Sequence, residues 1–183
     1  MKKAGYTLLT SLLTISVQLI QIMASGQNGK QHSVSLGINA PLGEFAETHI
    51  AGIGSHYSWS HHRFGKLAAL PKKWVGFTAN GGIDYYVGKK VKVAGYDFKY
   101  GGYTYLHAFG GLIYNPTKKE NITLTTGPTM GIYKGSADAG FGVILSMSSF
   151  ITDKIAITPG VMYMKHDNTN ALWMASVRAS YIF

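Results

Sequence analysis

Residues 171–183 read Ala-Leu-Trp-Met-Ala-Ser-Val-Arg-Ala-Ser-Tyr-Ile-Phe. Trp173, Ala175, Val177, Ala179, Tyr181 and Phe183 fall on one side of an extended chain. Met174, Ser176, Arg178 and Ser180 fall on the other. Successive strand side chains point to opposite faces, so this period of two marks a strand with one apolar and one polar face.

The same pattern recurs in seven earlier segments. Segment 31–40 opposes Val34, Leu36, Ile38 and Ala40 to Ser33, Ser35, Gly37 and Asn39, and 48–62 opposes Ala51, Ile53, Tyr57 and Trp59 to Gly52, Gly54, His56, Ser58 and Ser60. In 74–87, Phe77, Ala79, Ile83, Tyr85 and Val87 face away from Thr78, Asn80, Gly82, Asp84 and Tyr86. Both faces of 103–114 are bulky; Leu106, Ala108, Leu112 and Tyr114 are assigned to its apolar face. Segments 121–133, 139–150 and 155–165 complete the set. Eight segments of about ten residues suit the smallest membrane barrels, although soluble sandwiches and lipocalin-like barrels share the period.

The polar face separates these readings. In a soluble sheet it meets water and is rich in Lys, Glu and Arg. Here it is Gly, Ser, Thr and Asn, and beyond residue 26 nearly every charge sits in a turn or at a strand end; Asp84 and Arg178 are the clear mid-strand exceptions. Only 14% of residues are charged, against about 25% in an average domain. A chain that clears charge from its strands avoids hydrocarbon, where a mid-plane Lys or Arg costs about 2–4 kcal/mol. The expected fold is all-β, an eight-stranded antiparallel transmembrane barrel over residues 27–183. Closure pairs every strand edge, as lipid requires.

The N-terminus reads as an export signal. Met1-Lys2-Lys3 is a basic start, 8–23 is apolar with Thr and Ser interruptions, and Ala24-Ser25-Gly26 offers a small-residue cleavage site. Residues 1–26 are therefore expected to be a signal-peptide helix, removed on export. A spanning helix wants about 20 predominantly apolar residues, which this stretch does not supply. With no Cys in the chain, a disulfide framework, a thiolate metal site, a thiol nucleophile and a Cys-linked lipid anchor are excluded.

The ending Val177, Ala179, Tyr181 and Phe183 resembles the C-terminal assembly signal of Gram-negative outer-membrane proteins. With the signal peptide and eight segments, the chain resembles the small outer-membrane β-barrel domain family, the OmpA/OmpX-like size class. That resemblance covers about 31–183. It implies residence in the outer membrane of a Gram-negative bacterium, biogenesis by the β-barrel assembly machinery, and contact with outer-membrane lipid and lipopolysaccharide. It brings no catalytic residues. An even strand count puts both termini on the periplasmic side. The outer loops are then 41–47, 88–102, 134–138 and 166–170, and the inner turns 63–73, 115–120 and 152–154. Tyr57, Trp59, Tyr85, Tyr114, Tyr163, Trp173, Tyr181 and Phe183 are candidates for two aromatic girdles. Pro128 and Pro159 lie inside strands, where proline cannot donate to the ladder, so bulges or shortened strands are expected there.

Several residue groups bear on function. Asp84, Arg178, His56 and His107 all point inward, and the expectation is a buried ion pair that fills a narrow lumen. No metal spacing or cofactor motif occurs; the adjacent His61 and His62 face opposite sides. His49, Ser136, Asp138, His166 and Asp167 could meet at the outer rim, which keeps a lipid A acyltransferase or deacylase as an alternative. The net charge of +9 invites nucleic acid, and Lys89, Lys90, Lys92 and Lys99 cluster with Tyr96, Phe98 and Tyr100. An exported barrel seldom meets nucleic acid; the loop is expected to be a solvated surface, with contact to lipopolysaccharide phosphates as the alternative. The expected function is a non-enzymatic, monomeric membrane scaffold with exposed loops for adhesion, envelope integrity or recognition. A narrow conduit for a small or apolar solute is a further alternative.

Overall fold

The computed structural model describes residues 30–61, 75–93, 95–117, 119–166 and 171–183. The expected signal peptide, the turn at 63–73, His62 and Asp167 lie outside them. Strands β1 (Lys30–Leu42), β2 (His49–His61) and β3 (Val75–Gly88) are followed by two short strands, β4 (Lys90–Val93) and β5 (Tyr96–Lys99). Then come β6 (Tyr103–Tyr114), β7 (Glu120–Tyr133), β8 (Ser136–Thr152), β9 (Ile155–His166) and β10 (Leu172–Ile182). Eight of them close a barrel in the order β1-β10-β9-β8-β7-β6-β3-β2, every pair antiparallel. Among the described residues no helix is long and apolar enough to cross a membrane.

The outward face is the apolar one. Leu36, Ile38 and Ile53 are each about two-thirds exposed, and Leu112, Leu124, Phe141, Leu145, Val161 and Val177 also face out. In water such a belt would exceed the few-hundred-Å² apolar patch of a soluble monomer. In lipid it is the favourable surface. Leu106 and Ala108 face out while Tyr103, Tyr105, His107, Phe109 and Ile113 face in, which settles the facing of the bulky segment 103–114 as assigned.

Neither proline makes the expected bulge. Pairing of β6 with β7 lapses between His107–Thr129 and Gly110–Thr126 with no change of register, and β7 pairs β8 through Pro128–Phe141. Pro159 likewise pairs Val177, and β9 skips pairs with β8 between Gly160 and Ile157 without a shift. Both rings point outward, and each strand runs on through its proline. The missing N–H is thus absorbed by a short gap in one ladder. The real register shifts lie near strand ends, at His49/Gly52 and Phe150/Thr152.

The loop end is more structured than its sequence suggests. Segment 41–47 ends in a one-turn helix, α1 (Glu44–Thr48), entered through Gly43 at φ 56°. Segment 88–102 holds the β4–β5 hairpin, turned at Gly95 with φ 87°. The expected loop 134–138 shrinks to Lys134 and Gly135, both at positive φ, the backbone of a tight hairpin turn. Lys89 donates through Nζ to the Ala46 carbonyl and clamps α1 to the barrel. Replacing it with Met removes a charge-assisted bond of roughly 1–2 kcal/mol, reduced by partial exposure. Faster proteolytic cutting within α1 is the expected result, with the barrel itself still resistant.

Candidate functional site

Inside the barrel three layers follow one another. At the loop end, Phe45 of α1 is 4% exposed and packs on His49, Tyr86 and Tyr103, with ring centroids 4.6, 5.0 and 5.5 Å away. Tyr105, Phe109, Ile144, Met162, Met164 and Met174 continue this core. At the end where β1 starts and β10 finishes, a cavity of about 70 Å³ is lined by Ser33, Ser58, Ser60, Thr78, Asn80 and Thr158 among others, with Arg178 in its wall. Between them lies a compact titratable cluster.

That cluster is built by register. The inward positions Arg178, Gly37, Gly54 and Asp84 form one row across β10, β1, β2 and β3, and His56, Gly82 and His107 form the adjoining row across β2, β3 and β6. Glycines between the large side chains give them room. A Cβ on Gly54 would lie 1.8 Å from Asp84 Oδ1, and one on Gly82 would lie 2.4 Å from His56 Nδ1 and 2.8 Å from His107 Cε1. His56 Nε2 stands 3.1 Å from Asp84 Oδ1, and His107 Nδ1 stands 3.9 Å from Asp84 Oδ2. Asn39 Nδ2 donates to Asp84 Oδ1 at 2.6 Å.

All four expected lumen residues face inward and are buried, but the pairing differs from expectation. No ion pair joins Asp84 to Arg178 among the described residues; the carboxylate meets two histidines instead. Two glycines separate Asp84 from Arg178 along their row, and the side chains lean over them from opposite sides. Asn39 was visible only as a polar position of the first segment. Its role needs the β1–β2–β3 register, which no local pattern encodes.

Local spacing pointed to no metal set. The fold nevertheless brings one ligand atom each from His56, Asp84 and His107 within 4.8 Å of one another. They come from three strands, so a search for ligands a few residues apart cannot find them.

Among the described rim residues, Ser136 does not meet either histidine. His49 is buried against Phe45, with Nδ1 2.8 Å from Thr48 Oγ1. His166 is fully buried, 3.3 Å from the Tyr103 hydroxyl and 3.2 Å from Thr129 Oγ1. Ser136 is exposed and bonds to neither histidine, whereas a serine nucleophile needs its base within hydrogen-bond reach. The aromatic candidates all face outward in two groups. Tyr57, Trp59, Tyr114, Tyr181 and Phe183 ring the end near the termini, and Tyr85, Tyr163 and Trp173 ring the loop end. Trp173 packs on Tyr163 with centroids 4.9 Å apart.

These features define a small, closed eight-stranded antiparallel β-barrel with an apolar outer face, the fold of small outer-membrane barrels. Among solved structures, the attachment invasion locus protein Ail of Yersinia pestis matches at TM-score 0.56 and 11% identity, covering 86% of this chain and 100% of Ail. The backbone structure of Ail in a phospholipid bilayer nanodisc matches at TM-score 0.56 and 15% identity, with 85% and 100% covered. Outer membrane protein OprG of Pseudomonas aeruginosa matches at TM-score 0.51 and 11% identity, with 86% and 97% covered. At these identities the likeness is one of fold. No family model and no curated protein matches the sequence.

Proposed function

We propose that the chain is a non-enzymatic scaffold of the Gram-negative outer membrane that presents its β4–β5 hairpin to anionic groups, the phosphates of lipopolysaccharide first among them. The hairpin carries this reading. Lys90 and Lys99 are directly opposed across it, and both are exposed. Like charges in that position repel, so the arrangement favours an anion between them. Tyr96 and Phe98 lie exposed on the same hairpin, and Lys134 Nζ sits 5.8 Å from the Phe98 ring. Lys92 faces Asp97 and is partly neutralised, while Lys89 is engaged with α1 and drops out of the binding set.

The rest of the reading follows from position. Residues 1–26 act as the export signal, both termini face the periplasm, and Val177, Ala179, Tyr181 and Phe183 serve recognition by the assembly machinery. The two outward aromatic groups sit where the membrane interfaces would be, and the barrel works as a monomer. The aromatic and methionine plug argues against a conduit, and the separation of exposed Ser136 from His49 and His166 argues against a lipid A-modifying enzyme. Lipid A from a deletion strain should keep its acyl pattern by mass spectrometry; a changed pattern would favour the enzyme.

The hairpin is tested with K90Q/K92Q/K99Q. The triple variant should still show the faster unboiled gel migration of a closed barrel. It should retain several-fold less lipopolysaccharide after detergent washing, with the difference shrinking as salt screens the charges. Equal retention by wild type and variant at low salt would overturn the assignment.

A further inference from the structure

We propose that His56, Asp84 and His107 form a binding site for a divalent first-row transition metal ion in the middle of the barrel. The donor set is two imidazoles and one carboxylate, which suits zinc or ferrous iron and leaves further positions for water. The three ligands come from β2, β3 and β6, adjacent strands of the barrel wall. Bound metal would clip these strands together.

The geometry is that of an open site, with three donors converging around one point. Bonds of about 2.0–2.2 Å at tetrahedral angles place ligand atoms roughly 3.3–3.6 Å apart. His107 Nδ1 stands 3.9 Å from Asp84 Oδ2, His56 Nε2 reaches the other oxygen at 3.1 Å, and one donor atom from each residue falls within 4.8 Å of the others, wider than in a closed site. Binding would draw the His56 and His107 rings together on Asp84 Oδ2, the oxygen that Asn39 leaves open.

The hydrogen bonding points the same way. His56, Asp84 and His107 are 3%, 0% and 6% exposed. Asp84 Oδ2, both ring nitrogens of His107 and both of His56 have no hydrogen-bond partner among the described residues. His56 Nε2 approaches Asp84 Oδ1 without making a hydrogen bond. Buried polar atoms are normally satisfied, and leaving one unmet costs about 1–3 kcal/mol. A metal ion satisfies a nitrogen of each histidine and the free carboxylate oxygen at once. Asn39 already occupies the other oxygen and fixes the carboxylate, as outer partners of metal ligands do. Tyr105 and Phe109 hold the His107 ring at centroid distances of 5.3 and 4.8 Å. Gly54 and Gly82 clear the space in which the three side chains converge.

The experiment uses the barrel in detergent, purified without a histidine tag, with Co²⁺ as the probe and Zn²⁺ as the competitor. One equivalent of Co²⁺ is expected to bind, to develop a ligand-field absorption band and to be displaced by Zn²⁺. D84N and H107Q should each weaken binding by at least about tenfold. H166Q, which changes another buried lumen histidine, should bind as wild type does. The gel shift on boiling checks that each variant has closed. A second readout needs no variant: paramagnetic Co²⁺ should broaden the amide resonances of Gly54 and Gly82 selectively in wild-type barrel. Absence of Co²⁺ binding, unchanged binding in D84N and H107Q, or broadening centred on His61 at the barrel end would each overturn the proposal.

Discussion

Gly111→Ala should destabilise the barrel by about 3 kcal/mol or more, at or beyond the upper end for overpacking. Gly111 faces inward on β6 and pairs with Thr125 of β7. A Cβ there would lie 2.0 Å from the Leu124 carbonyl oxygen and 2.7 Å from the Thr125 Cα. Both are backbone atoms, so no rotamer change relieves the clash; the strands must separate and stretch their ladder. Against a total stability of about 5–15 kcal/mol for a small domain, that is a large fraction. The neighbouring Gly110 makes the control. It faces outward, and its added Cβ would meet only the tip of the Phe77 ring at 3.2 Å. Gly110→Ala should be nearly silent. Urea unfolding in phospholipid vesicles measures both, and equal effects would show that the β6–β7 approach is looser than described.

Leu36→Arg should cost about 2–4 kcal/mol in the same assay. Leu36 sits midway along β1, points outward and is 68% exposed to what the belt implies is hydrocarbon. Its cross-strand neighbours are Ser55 and Ala179, too small to shelter a guanidinium. The matched control is Tyr96→Arg on the hairpin, which should change stability by no more than about 0.5 kcal/mol. In detergent micelles of varied thickness the Leu36→Arg penalty should shrink as the apolar layer thins. A penalty equal to that of Tyr96→Arg would place Leu36 outside the apolar layer.

The strands were legible because alternation is a local property. Each lipid-facing position of β1 or β10 can be read from its neighbours two residues away, since one face must tolerate hydrocarbon and the other must fit a narrow lumen. Charge placement then separated membrane from water. What stayed hidden depends on register or on short-range geometry. The Asp84–Arg178 pairing looked natural because both charges were inward and opposite in sign; two intervening glycines and two histidines redirected Asp84. Helix α1 is too short to show a helical period, and its signature is one buried phenylalanine in a polar loop. The β4–β5 strands span four residues each, too few for alternation to stand out from a Lys-rich loop. Pro128 and Pro159 suggested bulges because a proline normally ends a ladder, whereas here one neighbour strand yields and the other does not.

The seam between β1 and β10 bears on how the barrel comes into being. Seven of its eight joints link strands that follow one another around the chain, and the remaining joint ties Ser33 to Ile182 and Leu42 to Trp173. The Phe183 amide also donates to the His32 carbonyl across that joint. Hairpins can form early because their loops are short, but the seam must close a ring of well over a hundred residues, an entropic cost met late. Until then two long strand edges stand open. In bulk water they invite intermolecular pairing, and in lipid they leave backbone groups unpaired. A nascent sheet of this kind gains from a catalyst that shields its two open edges and lets go as the last joint forms.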